Sequence, residues 1–226
     1  MNEASKTRRL WTRLETDILQ GRGIDIGCGP DPVTPDARRF DREHGDANVI
    51  SRHVSDTYDF VFSAHCLEHM VDARAAILEW WTLVKPGGHL FVIVPDEELY
   101  EQGIWPSIFN PDHKATFTMS QGGRHSPVSI NVLDLASTIP DSEVVDIRLH
   151  DAHYDRRYLR DGSRDPRAWA VAVRRVRWSL LRVLRSLGIN ARLNWFATVF
   201  RVPVDQTLGD ASAQIQMIVR RRSIAP

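Results

Sequence analysis

Cysteine is scarce in this 226-residue chain: there are two, Cys28 and Cys66. Two cysteines build no disulfide framework, and neither sits in a CxxC or Cys/His spacing that would hold zinc or an iron–sulfur cluster. No metal site is expected from such spacing, and a reducing, cytoplasmic setting is the default expectation. The chain also lacks any run of about 18 apolar residues free of charge, so no spanning helix is expected. Its first twenty residues are charged and have no apolar centre, which argues against a secretory signal. Low-complexity tracts and internal repeats are missing too. The composition is 42% hydrophobic and 26% charged with zero formal net charge, which excludes wholesale disorder and leaves an ordinary folded chain.

The zero net charge conceals a division. Residues 155–201 hold twelve arginines, from Arg156 to Arg201, against Asp155, Asp161 and Asp165, a local excess of +9. The rest of the chain must therefore carry −9, and the sequence is electrostatically two-part.

Apolar patterning predicts alternating strands and helices. Residues 7–19 place Leu10, Trp11, Leu14 and Ile18 at helical spacing. Gly23-Ile24-Asp25-Ile26 reads as a short strand broken by a glycine-rich turn, and Ala37–Asp41 as a second strand. Tyr58–Ser63 is an apolar run suited to a strand buried on both faces. Val71–Val84 has helical length and is expected to stop at Lys85-Pro86-Gly87-Gly88, with a further buried strand over His89–Val94. Together these form a βαβ unit. Residues 103–128 are loop-rich, with Pro106, Pro111, Gly122, Gly123 and Pro127 among them, while Val128–Thr138 reads as helix and Val144–Leu149 as strand. Ser212–Arg221 alternates apolar and polar residues and reads as a last strand, less buried than the central ones.

The chemistry-bearing constellation begins at the end of the first strand. In Asp25-Ile26-Gly27-Cys28-Gly29 the glycines let backbone approach a ligand at the carboxyl edge of a parallel sheet. Asp41 follows Gly29 by twelve positions, where a second strand would end and a carboxylate can accept bonds from both ribose hydroxyls. These residues, with Gly45-Asp46-Ala47, the stretch YDFVFSAHCLEHM and the turn KPGG before HLFVIVPDE, resemble the class I S-adenosylmethionine (SAM)-dependent methyltransferases over about residues 22–98. The resemblance is to the small-molecule and polysaccharide-pathway branch. It implies a Rossmann-like three-layer α/β sandwich spanning residues 1–226, with a mostly parallel sheet, an antiparallel last strand and a basic helical insertion over 155–205.

The resemblance also implies roles. SAM would be bound by Asp25, Gly27, Cys28 and Gly29, with Asp41 on the ribose and Asp46 and Ala47 on the adenine. Ser63, Ala64 and His65 would lie against its methionine half. Two departures stand out. The third glycine of GxGxG is replaced within Pro30-Asp31, and the interval from Asp41 to Asp46 is too short for a helix and strand, so this half of the domain is compressed.

In-line displacement at an activated methyl carbon needs positioning and, for a hydroxyl acceptor, a base. His113, His65 and His69 are the candidate bases; each could equally be a hydrogen-bonded structural histidine. Asp25 reads as an orienting residue. The expected activity is methyl transfer to oxygen or nitrogen of a small-molecule or glycan-type acceptor. The glycan element rests on the likeness of SAHCLEH and FNPDHKATF to methyltransferases of surface-polysaccharide pathways.

The segment 166–187 places Trp169, Val173, Val176, Leu180, Leu184 and Leu187 on one helical face and most of its arginines elsewhere. It reads as a helix packed on the domain, or as a peripheral contact with an anionic membrane or lipid-linked substrate at the inner face. Nucleic acid is disfavoured: no aromatic stacking platform is evident, and SAHC replaces the Asn/Asp-Pro-Pro-aromatic motif of DNA amino-methyltransferases. Two rival functions remain. One is a catalytically silent SAM-binding protein that docks a membrane or partner through the basic helix. The other is an NAD-dependent oxidoreductase, against which stand the missing third glycine of GxGxxG and the absence of a Tyr-xxx-Lys pair.

Overall fold

The computed structural model describes residues 3–120, 126–159 and 203–223, together with Val176, Arg182 and Val183. The basic segment expected over 166–187 therefore lies outside the described residues, apart from those three.

Two short helices open the chain, α1 (Glu3–Arg8) and α2 (Arg13–Ile18), where the apolar spacing alone suggested one. The break is written in Thr12-x-x-Glu15. The Thr12 side chain accepts from the Leu14 amide, while the Glu15 carboxylate accepts from the Thr12 amide at 2.8 Å, a capping box that starts a new helix. The strands are β1 (Gly23–Ile26), β2 (Arg38–Phe40), β3 (Tyr58–Ala64), β4 (Val84–Pro95), β5 (Thr116–Thr118), β6 (Ser129–Asn131), β7 (Ser142–His150) and β8 (Gln214–Arg221). Two further α-helices are α3 (Ala73–Trp81) and α4 (Val132–Ser137).

The main sheet runs β2-β1-β3-β4-β8-β7. β1 pairs in parallel with β2 and β3, β3 with β4, while β8 is antiparallel to both β4 and β7. One apolar layer, including Trp80, Ile77, Leu67 and Leu135, covers one face; another, including Ile18, Phe62, Phe91 and Val33, covers the other. This is a three-layer, Rossmann-like α/β sandwich with a mostly parallel sheet. The compression after β2 is real: only a 3-10 turn over Ala47–Arg52 stands between Asp46 and the approach to β3.

Three expectations are corrected. Lys85-Pro86-Gly87-Gly88 is an excursion inside β4, whose pairing to β3 jumps from Tyr58–Val84 to Phe60–His89, with Gly87 at φ +81°. The helix over Val128–Thr138 begins only at Val132, because Asn131 caps it by accepting from the Leu133 and Asp134 amides. β8 is buried, since it lies between β4 and β7 with both faces covered. Its polar residues are paired rather than solvated. Gln214 Nε2 donates to Thr7 Oγ1 at 3.0 Å, and Gln216 Nε2 donates to Glu15 and Asp146 at 2.8 Å each. Burial pushes the Glu15 carboxyl upward, but the bonds from Thr12 and Gln216 outweigh it and hold the group at about 2. β8 thereby fastens the N-terminal helices over the carboxyl edge of the sheet. Among the described residues no helix is long and apolar enough to cross a membrane.

Candidate active site

The carboxyl ends of β1, β2 and β3 open onto two cavities. The larger, about 920 Å³, is lined by Asp41, Gly45, Asp46, Ala47 and Asn48 on one side and Cys66, Met70, Asp112 and Lys114 on the other. The smaller, about 240 Å³, is lined by Asp25, Cys28, Gly29, Ala64, Glu68, Tyr100 and His113, with Lys6, Thr207 and Gln214 over it. Gly27, His65 and His69 border both. They mark the junction.

Local chemistry explains the shape. Gly27 donates its amide to Phe40 O at 2.7 Å, which ties the turn after β1 to the end of β2. Its φ is +77°, and a Cβ there would lie 2.7 Å from Cys66 Cβ and Sγ, so only glycine fits. Gly29, at φ +52°, has open space where a Cβ would stand. Asp41 Oδ2 accepts the Gly29 amide at 2.7 Å and Oδ1 the Arg42 amide at 2.7 Å. Each oxygen keeps a lone pair for a further donor. Asp46 caps the 3-10 turn by accepting from Asn48 N at 2.9 Å, and Ala47 O is held by Trp80 Nε1 at 2.8 Å.

Asp25 is buried, and its Oδ2 accepts the Val33 amide at 2.6 Å. Burial pushes its carboxyl up to about 7, with the Val33 amide opposing. The folded state therefore holds this proton more tightly than the unfolded chain does. That contribution to stability is complete below the ordinary carboxyl value of 3.8 and is lost as pH rises through about 7. Thermal unfolding across pH 5–8.5 will accordingly show wild type losing stability toward the alkaline end relative to Asp25→Asn, whose amide still accepts from Val33. Parallel curves for the two proteins would refute this.

Of the residues expected from the sequence, Asp25, Gly27, Cys28, Gly29, Asp41, Asp46, Ala47, Ala64, His65, His69 and His113 all border one or both cavities. Ser63 borders neither. Its side chain turns back to donate to Ile26 O at 2.9 Å and clamps β3 to β1. Neither cysteine is suited to nucleophilic work, since burial pushes Cys66 up to about 12 and raises Cys28 as well.

The histidines gather on Glu68, which is not among the site residues expected from the sequence. Glu68 and His69 lie on the 3-10 turn Leu67–His69 after β3. The amides of Lys114 and Ala115 donate to Glu68 O at 2.7 and 3.2 Å, and Lys114 Nζ donates to His69 O at 2.5 Å. These bonds bring the segment carrying His113 onto the turn. His113 Nδ1 donates to Glu101 Oε1 at 2.8 Å, His69 Nδ1 lies 3.2 Å from Asp112 Oδ2, and His65 Nε2 donates to Gln214 Oε1 at 2.9 Å. His65 sits at φ +52°, a conformation that non-glycine residues rarely adopt and that concentrates at functional sites.

A family model described as a methyltransferase domain matches residues 3–122, more than half of the chain. The chain belongs to that family, and the protein is a SAM-dependent methyltransferase. No curated protein matches the sequence. Among solved structures it is similar to a SAM-dependent methyltransferase from Thermotoga maritima at 15% identity, covering 98% of this chain and 88% of the other, with a TM-score of 0.46. It is also similar to the YcgJ protein of Bacillus subtilis (12% identity, 94% and 97% covered, TM-score 0.47). A third similar structure is the plantazolicin methyltransferase BamL bound to a triazolic desmethylPZN analog and S-adenosylhomocysteine (13% identity, 98% and 87% covered, TM-score 0.48). At these identities the similarity says nothing of the acceptor.

The cavities fit the cofactor. Their volumes suit a molecule of that size, the open face of Gly29 leaves room for close approach, and Asp41 offers paired acceptors. The smaller cavity has the carboxylates of Asp31, Glu68 and Asp205 against the ammonium of Lys6, a lining that favours a sulfonium cation.

Proposed function

We propose that the protein methylates an oxygen or nitrogen atom of a small-molecule or glycan-type acceptor seated beside the methionine half of SAM in the smaller cavity. The observation that carries this reading is the junction at Gly27, His65 and His69, where a cavity roomy enough for a nucleoside borders a second chamber lined by imidazoles. Asp41 would hold the ribose, Asp46 and Ala47 the adenine edge, and the Asp25–Gly29 turn with Ala64 and His65 the methionine half. Bound SAM supplies a methyl carbon already activated for displacement. The protein's own work is alignment and proton removal. An acceptor hydroxyl held beside the histidines would give its proton to an imidazole as its oxygen takes the methyl group, with S-adenosylhomocysteine as the leaving group. The chamber is small, and Tyr100, Asn110 and Gln214 in its lining favour a compact hydroxylated acceptor over a long apolar one.

The test is transfer of radiolabelled methyl from SAM to a panel of sugars, nucleotide sugars and small amines. Turnover with a hydroxylated or amine acceptor, lowered at least about tenfold by Asp41→Ala mainly through the KM for SAM, is the expected result. A folded protein that binds SAM and methylates no member of the panel would favour instead a silent cofactor-binding protein.

A further inference from the structure

Glu68 is 1% exposed, and neither of its carboxylate oxygens has a hydrogen-bond partner. A buried carboxylate left in that state is strongly disfavoured unless a positive charge stands beside it. Three imidazoles approach Oε1 without reaching it: His65 Nδ1 at 3.6 Å, His69 Nε2 at 3.9 Å and His113 Nε2 at 4.0 Å. These gaps are too long for direct hydrogen bonds.

The outer partners decide what the rings present. His113 Nδ1 donates to Glu101 Oε1 at 2.8 Å, and His69 Nδ1 faces Asp112 Oδ2 at 3.2 Å and Asp112 O at 3.3 Å. With the proton on Nδ1 in both rings, each neutral Nε2 aims a lone pair at the Glu68 oxygen. Two lone pairs and a carboxylate thus converge with no donor among them. Coordinating atoms from Glu68, His69 and His113 all lie within 4.8 Å of one another. An ion about 2.1 Å from each would set them about 3 to 3.5 Å apart, which requires side-chain movements of about an ångström or less. Carboxylate or carbonyl acceptors behind the distal nitrogens are the usual support of metal-bound histidine.

We propose that Glu68, His69 and His113 form a binding site for one divalent first-row transition-metal ion at the junction of the two cavities. Two imidazoles and one carboxylate favour zinc, manganese, iron or cobalt over magnesium and calcium, which prefer oxygen donors. All three ligands border the smaller chamber, so the open coordination positions face the acceptor. There the ion would orient an acceptor hydroxyl and ease loss of its proton, leaving His65, outside the ligand set, to receive it. This role rests on the proposed methyl-transfer reading; the ion site itself does not. The sequence hid the site because its ligands come from two segments 44 residues apart and contain no cysteine. The one available signal was the compact His65-x-x-Glu68-His69 spacing.

The test uses the full chain, stripped with a chelator and desalted, then titrated with Zn²⁺ by calorimetry and with Mn²⁺ by loss of the free-ion paramagnetic signal. One equivalent should bind per chain. Glu68→Gln and His69→Gln should each weaken binding by at least about 100-fold, and Glu101→Gln by about 10- to 100-fold through its hold on His113, with folding checked by circular dichroism. Absence of metal uptake by folded wild type would overturn the site, as would uptake that Glu68→Gln and His69→Gln leave unchanged. The same samples are titrated with S-adenosylhomocysteine. Binding of that ligand without metal uptake overturns the ion site and spares the methyl-transfer reading. Metal uptake without it supports the ion site and overturns that reading.

Discussion

Gly27→Val is expected to reduce S-adenosylhomocysteine affinity by more than about 100-fold, roughly 2.7 kcal/mol, in a protein that still folds. Two independent effects add at this position. The backbone stands at φ +77°, where a β-branched residue is strained by about 1–3 kcal/mol. The new Cβ would also lie 2.7 Å from Cys66 Cβ and Sγ, and Cys66 is anchored at the end of β3 by the turn that carries Glu68 and His69. Relief requires the β1 turn and the β3 turn to part, and those turns border both cavities. Far-ultraviolet circular dichroism and calorimetric titration on one sample separate folding from binding. Affinity within about threefold of wild type would show that the cofactor does not pass over Gly27.

Trp80→Ala is expected to cost about 3–5 kcal/mol of stability, a large share of the roughly 5–15 kcal/mol that holds a domain together. Trp80 is wholly buried in the layer that α3 packs against the sheet. Its Nε1 also donates to Ala47 O at 2.8 Å, so the residue supports both the core and the rim of the larger cavity. Trp80→Phe keeps most of the volume and loses that bond. It should cost about 1 kcal/mol while weakening nucleoside binding out of proportion, because Ala47 loses its anchor. Urea denaturation measures the first effect and calorimetry the second. A cost below about 1.5 kcal/mol for Trp80→Ala would contradict the packing described.

The elements legible from sequence were those whose patterning has one reading. The Tyr58–Ser63 run had to be a doubly covered strand, and Val71–Val84 contained α3, with Asp72 capping it by accepting from the Arg74 and Ala75 amides. What escaped depended on partners distant in the chain. The alternating Gln214 and Gln216 imitate a half-solvated strand, yet both are paired within the sheet's cover, in part by Thr7 and Glu15 about 200 residues earlier. Pro86-Gly87-Gly88 reads as a turn, yet β3 accommodates it as a bulge. Ser63 lay inside a run buried on both faces, where alternation cannot say which way a side chain turns. For the site, the glycine turn and the acids after it were visible as a local motif. Glu68 was not, because its importance lies in two unpartnered oxygens and in histidines delivered by backbone bonds from Lys114 and Ala115.

The most direct test is a crystal structure of the protein with S-adenosylhomocysteine. The ribose hydroxyls should lie on Asp41, the adenine along Gly45–Ala47 and the sulfur at the junction of Gly27 and His65, aimed at the smaller chamber. A nucleoside bound without contact to Asp41, or a sulfur turned away from the His65–His69–His113 cluster, would contradict this placement.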